Sequence, residues 1–217
     1  MVRIKTYGEP PYDVREVLRY AGSRDDDAVL ALFEACRAEI AAGLSYKVCY
    51  LPLSVCVKGD LCDFGAFTAK SKDLARNLDG CEKAVVFAAT IGVGIDRLIA
   101  KYSVLSPAKA LLLDAIGTER IEALCDLFCD DVAREYQTYC RPRFSPGYGD
   151  LPLSFQKEIF FVLNCRKHIG VSITDSLMMS PSKSVTAIVG LNDEACKKTS
   201  RKCGACGNQE CAFRSAV

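Results

Sequence analysis

Residues 143–191 read RFSPGYGDLPLSFQKEIFFVLNCRKHIGVSITDSLMMSPSKSVTAIVGL. The stretch opens on a loop, since residues 141–152 hold three prolines and two glycines, the strongest punctuators of periodic structure. Ser154 then caps a short helix that ends near Leu163. Residues 169–179 and 184–191 read as a pair of strands. Upstream, Ser106-Pro107 is an N-cap followed by proline at the first helical position, and the helix it opens reads as almost unbroken to Tyr139. One face of that helix carries Leu111, Ala115, Thr118, Glu122, Cys125, Cys129 and Val132; another carries Ile121, Leu124, Phe128 and Val132. The first face is mostly small, so a backbone or a ligand can approach it. A carboxylate at Glu122 in such a stripe needs a partner.

Further out, AVVFAATIG (residues 84–92) reads as a buried strand running into Gly94 and a helix that starts near Asp96. CYLPLSVCV (residues 49–57) is β-like, with Pro52 marking an edge or a bulge. Residues 27–44 carry Val29, Leu32, Phe33, Cys36 and Ile40 at helical spacing. Ser71 opens a helix that Gly80 closes, and a short helix runs from Asp13 to Tyr20. Helices and strands are interspersed, yet the strands are few and irregularly spaced. The pattern predicts an α+β fold rather than a doubly wound parallel sheet.

The 217 residues suffice for one large domain, or for one domain with an appendage. Half are hydrophobic and a quarter charged, and the formal net charge is +1. That balance points to no nucleic acid and no anionic membrane as partner. Residues 84–95 form the longest uncharged apolar run, too short to span a bilayer, and the N-terminus lacks the apolar core of a signal peptide. The expected location is the cytoplasm. There, thirteen cysteines are many, and disulfides are not the expected use of them. Nine lie between Cys36 and Cys165 and read as small buried hydrophobes; four crowd the last 22 residues.

The loop carries chemistry. Arg143 offers a planar, permanently charged fork for a carboxylate. Pro146 stiffens the backbone before Gly147, which lets a ligand lie against main-chain amides. Tyr148 adds a ring and a hydroxyl. The set suits an amino-acid carboxylate beside a flat or apolar group, although an anonymous R-x-x-x-G-Y is also an ordinary surface turn.

In sequence, residues 106–191 resemble the activation domain of cobalamin-dependent methionine synthase. The family's R-x-x-x-G-Y signature is matched by Arg143, Gly147 and Tyr148. Its I-G-V-x-[LI]-T-[ED]-S stretch is matched by residues 169–176, and its P-x-x-S-V segment by Pro181, Ser184 and Val185. The resemblance implies a twisted antiparallel sheet with flanking helices over residues 1–191. It also implies S-adenosylmethionine as ligand and methyl donor. Arg143 would meet the ligand carboxylate, and the loop backbone at Ser145 and Gly147, with Tyr148, would hold it. Glu122 would contact it from the long helix, and Asp13 stands where the family has a contributing aspartate, though a helix cap is the plain reading of Asp13. The implied activity is that of a methyltransferase reactivation subunit, which remethylates the oxidised cobalamin of a separate methionine synthase with an electron from a flavodoxin or ferredoxin. Cobalamin belongs on that partner, because a D-x-H-x-x-G motif is impossible around the single His168, which Arg166 and Lys167 precede. Two other functions stay open: a non-enzymatic, zinc-binding interaction subunit of a corrinoid protein, and an activator of a different corrinoid methyltransferase.

Where the family has a tyrosine-bearing segment after the last strand, this chain has a cysteine-rich tail, residues 192–217. Cys196, Cys203, Cys206 and Cys211 are spaced C-x6-C-x2-C-x4-C. Four thiolates so close can surround one tetrahedral metal or one cubane cluster. The C-x2-C-G-x3-C-like part resembles corrinoid iron–sulfur proteins, so a [4Fe-4S] cluster is expected, with zinc the alternative. Ile91 to Asp96 reads as a tight strand-to-helix turn, His168 as a helix-end residue, and Met178-Met179 as core packing.

Overall fold

The computed structural model describes residues 1–24 and 26–193. The chain opens with β1 (Arg3–Tyr7) and α1 (Val14–Ala21), whose first turn is capped by the Asp13 carboxylate accepting from the amides of Arg15 and Glu16. There follow α2 (Asp27–Ile40), β2 (Tyr46–Ser54), a small meander of β3 (Cys56–Lys58), β4 (Leu61–Asp63) and β5 (Thr68–Lys70), and α3 (Lys72–Asn77). The central strand β6 (Lys83–Thr90) leads to α4 (Gly94–Leu105) and the 30-residue α5 (Pro107–Tyr136). The chain continues through β7 (Tyr139–Cys140), α6 (Gln156–Leu163), α7 (Cys165–Ile169), β8 (Ser172–Ile173), β9 (Met179–Ser180) and β10 (Ser184–Asn192).

The main sheet has the order β1-β2-β6-β10-β7, with every neighbouring pair antiparallel. Its alternation explains why β6 is apolar at nearly every position. Val85, Phe87 and Ala89 pack with Val17 of α1, Phe33 of α2, Ile95 of α4 and Phe128 of α5. Ala84, Val86 and Ala88 pack on the opposite face with Leu74 of α3, Ile159 of α6 and Cys165 of α7. A strand covered on both faces has no reason to alternate with polar residues. The fold is α+β, with helices flanking an antiparallel sheet, as the sequence predicts.

Several elements differ from expectation. Residues 49–57 are not one strand: β2 ends at Ser54 and β3 starts at Cys56. Pro52 nevertheless sits where an edge residue can. The β1 ladder stops at Arg3 opposite Tyr50, so at Pro52 only β6 is a neighbour. α2 stops at Ile40, four residues before Leu44, because the chain must turn for Gly43 to pack against Gly94. Neither Ser106 nor Ser154 caps with its side chain; residues Leu153–Phe155 form a 3-10 turn that leads into α6. Residues 169–179 are not a strand and do not pair with 184–191. They close α7, form the two-residue β8 and turn back to β9, while β10 pairs with β6 and β7. Met178 is exposed rather than core, and so is Cys56 among the nine cysteines before the tail. The four tail cysteines lie outside the described residues. Among the described residues, no helix is long and apolar enough to cross a membrane.

Candidate functional site

Gln137 ends α5 in the left-handed conformation, φ 51°. The chain then doubles back beside β10. β7 pairs with Leu191 and Asn192 only, and Phe144 exchanges backbone hydrogen bonds of 2.8 and 2.9 Å with Ile188. Beyond Ile188, toward Ser184, this side of β10 has no strand partner among the described residues and is a free edge there. Arg143 is thereby held beside α5. Its Nη2 donates to Glu122 Oε2 at 2.6 Å and its Nη1 to Asp126. Glu122 and Asp126 are one helical turn apart, so both face the same cation. The Arg143 side chain is 19% exposed, against 44% for Glu122 and 71% for Asp126. Burial pushes the Arg143 pKa down, but Cys125, Glu122 and Asp126 outweigh it and raise the pKa above the ordinary arginine value. Burial also pushes the Cys129 thiol up to about 11, so beside Arg143 it stays protonated at neutral pH.

The loop after Phe144 is a compact turn. Gly147 N–H donates to Leu151 O (2.9 Å), Tyr148 N–H to Ser145 O (3.1 Å) and Leu151 N–H to Tyr148 O (3.1 Å). Gly147 has φ 92°, which an L side chain rarely adopts, and a Cβ there would also press on Leu153. The far end is pinned by Asp150, whose carboxylate accepts from the Ser71 hydroxyl and from the amides of Lys72 (2.8 Å) and Asp73 (3.2 Å) at the start of α3. Those donors, Ser71 first, hold the Asp150 pKa below the ordinary range. The loop is thus tied to β10 at one end and to α3 at the other.

A cavity of about 330 Å³ lies at this free edge. Glu122 and Arg143 line it from the α5 side, with residues 145–148 of the loop. Ser184, Val185 and Thr186 contribute the edge of β10, Met179 comes from β9, and Gln156 from the start of α6. Five of the residues expected from the sequence, Glu122, Arg143, Ser145, Gly147 and Tyr148, therefore share one cavity. Asp13 does not line it. Its side chain caps α1, and its amide donates to Glu119 Oε1 at 3.1 Å.

The family model for the activation domain of vitamin B12 dependent methionine synthase matches residues 73–210. This chain belongs to that family. Its fold is also similar to the crystal structure of the MetH reactivation domain bound to AdoHcy. The TM-score is 0.67 at 14% identity, over 90% of this chain and 80% of that one. A search of curated proteins found no match.

Every residue lining the cavity falls inside the segment matched to the activation domain, and Asp13 falls outside it. Nothing local in the sequence marks Gln156, Met179 or Thr186 as site residues. Gln156 is only 6% exposed, yet in PLSFQKEIF it looks like any polar residue in the first turn of a helix. Its burial arises from tertiary packing and leaves no local signal. Ser184 and Val185 stand in the P-x-x-S-V segment, which was the available pointer to β10. Ser184 is fixed there by its hydroxyl, which donates to Pro181 O (2.8 Å) and lies 2.9 Å from the Thr90 hydroxyl as its other hydrogen-bond partner. Among the described residues, no group of three or more His, Cys, Asp or Glu is placed to hold a metal ion.

Proposed function

We propose that this activation-domain protein binds S-adenosylmethionine in the cavity beside Arg143 and serves the reductive remethylation of cobalamin on a partner methionine synthase chain. The observation that carries the reading is the Arg143–Glu122 pair, a cation and a carboxylate 2.6 Å apart on one cavity wall. An amino-acid headgroup needs both: the guanidinium takes its carboxylate and Glu122 its ammonium. Charge supports the choice. Arg143 is outnumbered by Glu122 and Asp126, so the cluster is formally −1 at neutral pH. S-adenosylmethionine, with one carboxylate, one ammonium and one sulfonium, is formally +1. A volume of about 330 Å³ falls in the ~300–1,000 Å³ range of small-molecule sites. The exposed Tyr148 stands at the loop tip, and the free edge of β10 offers backbone donors and acceptors. The relative with bound AdoHcy, the demethylated product of such a reaction, agrees with this reading.

The protein's task is then positioning. The partner's reduced cobalt is the nucleophile that takes the sulfonium methyl, and its electron comes from a small donor such as flavodoxin or ferredoxin. Residues 1–191 form the ligand-binding unit, and residues 192–217 a tail in which Cys196, Cys203, Cys206 and Cys211 hold a [4Fe-4S] cluster or, alternatively, zinc. The donor chemistry fits either. Metal analysis and the visible spectrum of anaerobically purified protein, with and without Cys203→Ser, decide between them.

The primary test is calorimetric titration of S-adenosylmethionine into wild type and Arg143→Ala. Removing a charged hydrogen-bonding partner is worth about 1.5–3 kcal/mol, or roughly ten- to a hundredfold in affinity. Binding to wild type that weakens by that factor in Arg143→Ala is expected. Equal binding to both would move the ligand elsewhere.

A further inference from the structure

Gln156 is an anomaly in this cavity. Its side chain is among the few buried polar ones, at 6% exposure, and its Oε1 has no hydrogen-bond partner among the described residues. Buried polar atoms are paired in the great majority of folded proteins, and an exception asks for a reason. Of the other buried polar side chains, Arg120, Glu119, Ser71, Ser184 and Thr90 have partners; Asn77 Oδ1 shares the lack of one but lies away from this cavity.

Position supplies the reason. β10 alternates between the two cores: Ala187 and Val189 pack on the α5 side, and Ile188 packs on the α6 side. Val185 shares the parity of the first set, whereas Ser184 and Thr186 share the parity of Ile188. Since all three line the cavity, it wraps around the free edge of β10 from one face of the sheet to the other. Arg143 and Glu122 occupy the α5 face. Gln156 opens α6, whose Ile159 and Leu163 pack on the opposite face. A ligand whose amino-acid end lies against Arg143 and Glu122 extends its other end around that edge toward Gln156.

We propose that Gln156 is a specificity residue: its amide oxygen accepts a hydrogen bond from an N–H or O–H of the nucleoside half of the ligand. The inference rests on the assignment of S-adenosylmethionine to this cavity. A neutral acceptor suits the place. It satisfies a nucleoside donor without adding a second carboxylate to compete with Glu122 for the ammonium or to draw Arg143 away.

The role makes an unusual combination of predictions. Gln156→Met keeps the length of the side chain and removes the unpaired atom. The ligand-free variant should melt at the wild-type temperature or above it, since no hydrogen bond to Oε1 is lost. Its affinity for S-adenosylmethionine and S-adenosylhomocysteine should fall about tenfold, the worth of a hydrogen bond plus a stranded donor. Calorimetry with S-adenosylhomocysteine analogues lacking the purine 6-amino group, the ribose 2′-hydroxyl or the ribose 3′-hydroxyl identifies the donor. One analogue should lose about tenfold on wild type and nothing further on Gln156→Met. Undiminished affinity of Gln156→Met, a fall in its ligand-free melting temperature, or losses that simply add for all three analogues would overturn the inference while leaving the cavity assignment standing. A wild type that binds neither ligand would overturn both.

Discussion

Replacing Arg120 by methionine should cost this protein about 4 kcal/mol of stability without touching the ligand cavity. The Arg120 side chain is fully buried. Its Nε and Nη2 donate to the two carboxylate oxygens of the adjacent Glu119, each at 2.5 Å. Its remaining donors reach the carbonyl oxygens of Pro10 and Pro11, and its guanidinium lies 3.6 Å from the Tyr12 ring centroid. One side chain therefore fastens the segment between β1 and α1 onto α5. Arg120→Met keeps most of the volume but strands a carboxylate that is 5% exposed and keeps only the Asp13 amide as donor. Breaking a buried ion pair on one side costs about 3–5 kcal/mol. For a domain of this size that is roughly a 10 °C fall in Tm. The double variant Glu119→Gln/Arg120→Met removes the stranded charge and should recover about 1–3 kcal/mol of the loss. Urea denaturation followed by circular dichroism measures all three proteins. A cost under about 1 kcal/mol for Arg120→Met, or a double variant no more stable than the single, would refute the argument.

Asp126 competes with the ligand carboxylate for Arg143, so Asp126→Asn should raise the affinity for the net-neutral S-adenosylhomocysteine roughly two- to fivefold, the worth of an exposed ion pair. Because the same change removes negative charge, the preference for S-adenosylmethionine over S-adenosylhomocysteine should shrink; paired titrations at low salt read both. Lys109, with Tyr102 and Lys101, holds the Glu39 pKa down to about 2 from 4.5. A depressed carboxylate stabilises the fold fully above its unfolded pKa, and that contribution is lost as pH falls from about 4.5 to about 2. Glu39→Gln should flatten the acid side of the stability–pH curve in that window and leave its shape unchanged above it. Gly94→Ala should destabilise by about 1–3 kcal/mol, since a Cβ would sit 2.1 Å from the Gly43 carbonyl oxygen; an unchanged melting temperature would mean that the turn yields.

What was legible in the sequence follows from how local each signal is. β6 announced itself because both of its faces are covered, which makes the run apolar throughout. The long α5 was visible from Pro107 and an unbroken helical period. The turn at Gly147 could be read because residues 143–148 are contiguous and their chemistry needs no partner to be recognised. What failed was non-local. The two-residue β8 and β9 are held by each other and not by their own propensity, so residues 169–179 looked like a longer strand. Cys56 is exposed because β3 leaves the main sheet, which nothing in CYLPLSVCV foretells. Gln156 is buried only because α6 folds against the sheet, over β6 and β2.

The same logic explains why one glutamate of α5 serves the fold and another the cavity. Glu119, Glu122 and Asp126 are spaced i, i+3, i+7, so they share one face of the helix. The face is divided by what packs against it. At Glu119 the chain between β1 and α1 closes over the carboxylate, and Arg120 and the Asp13 amide engage both oxygens; a buried charge so satisfied has nothing left to offer a ligand. One turn on, Glu122 meets Arg143 through Oε2 and keeps 44% of its side-chain surface. Its partner is delivered by the return of the chain along β10, which, among the described residues, leaves that strand's edge unpaired from Ser184 to Ala187. A cavity therefore forms beside Glu122 and not beside Glu119. Exchanging the roles of the two would require moving the N-terminal segment, not changing the helix.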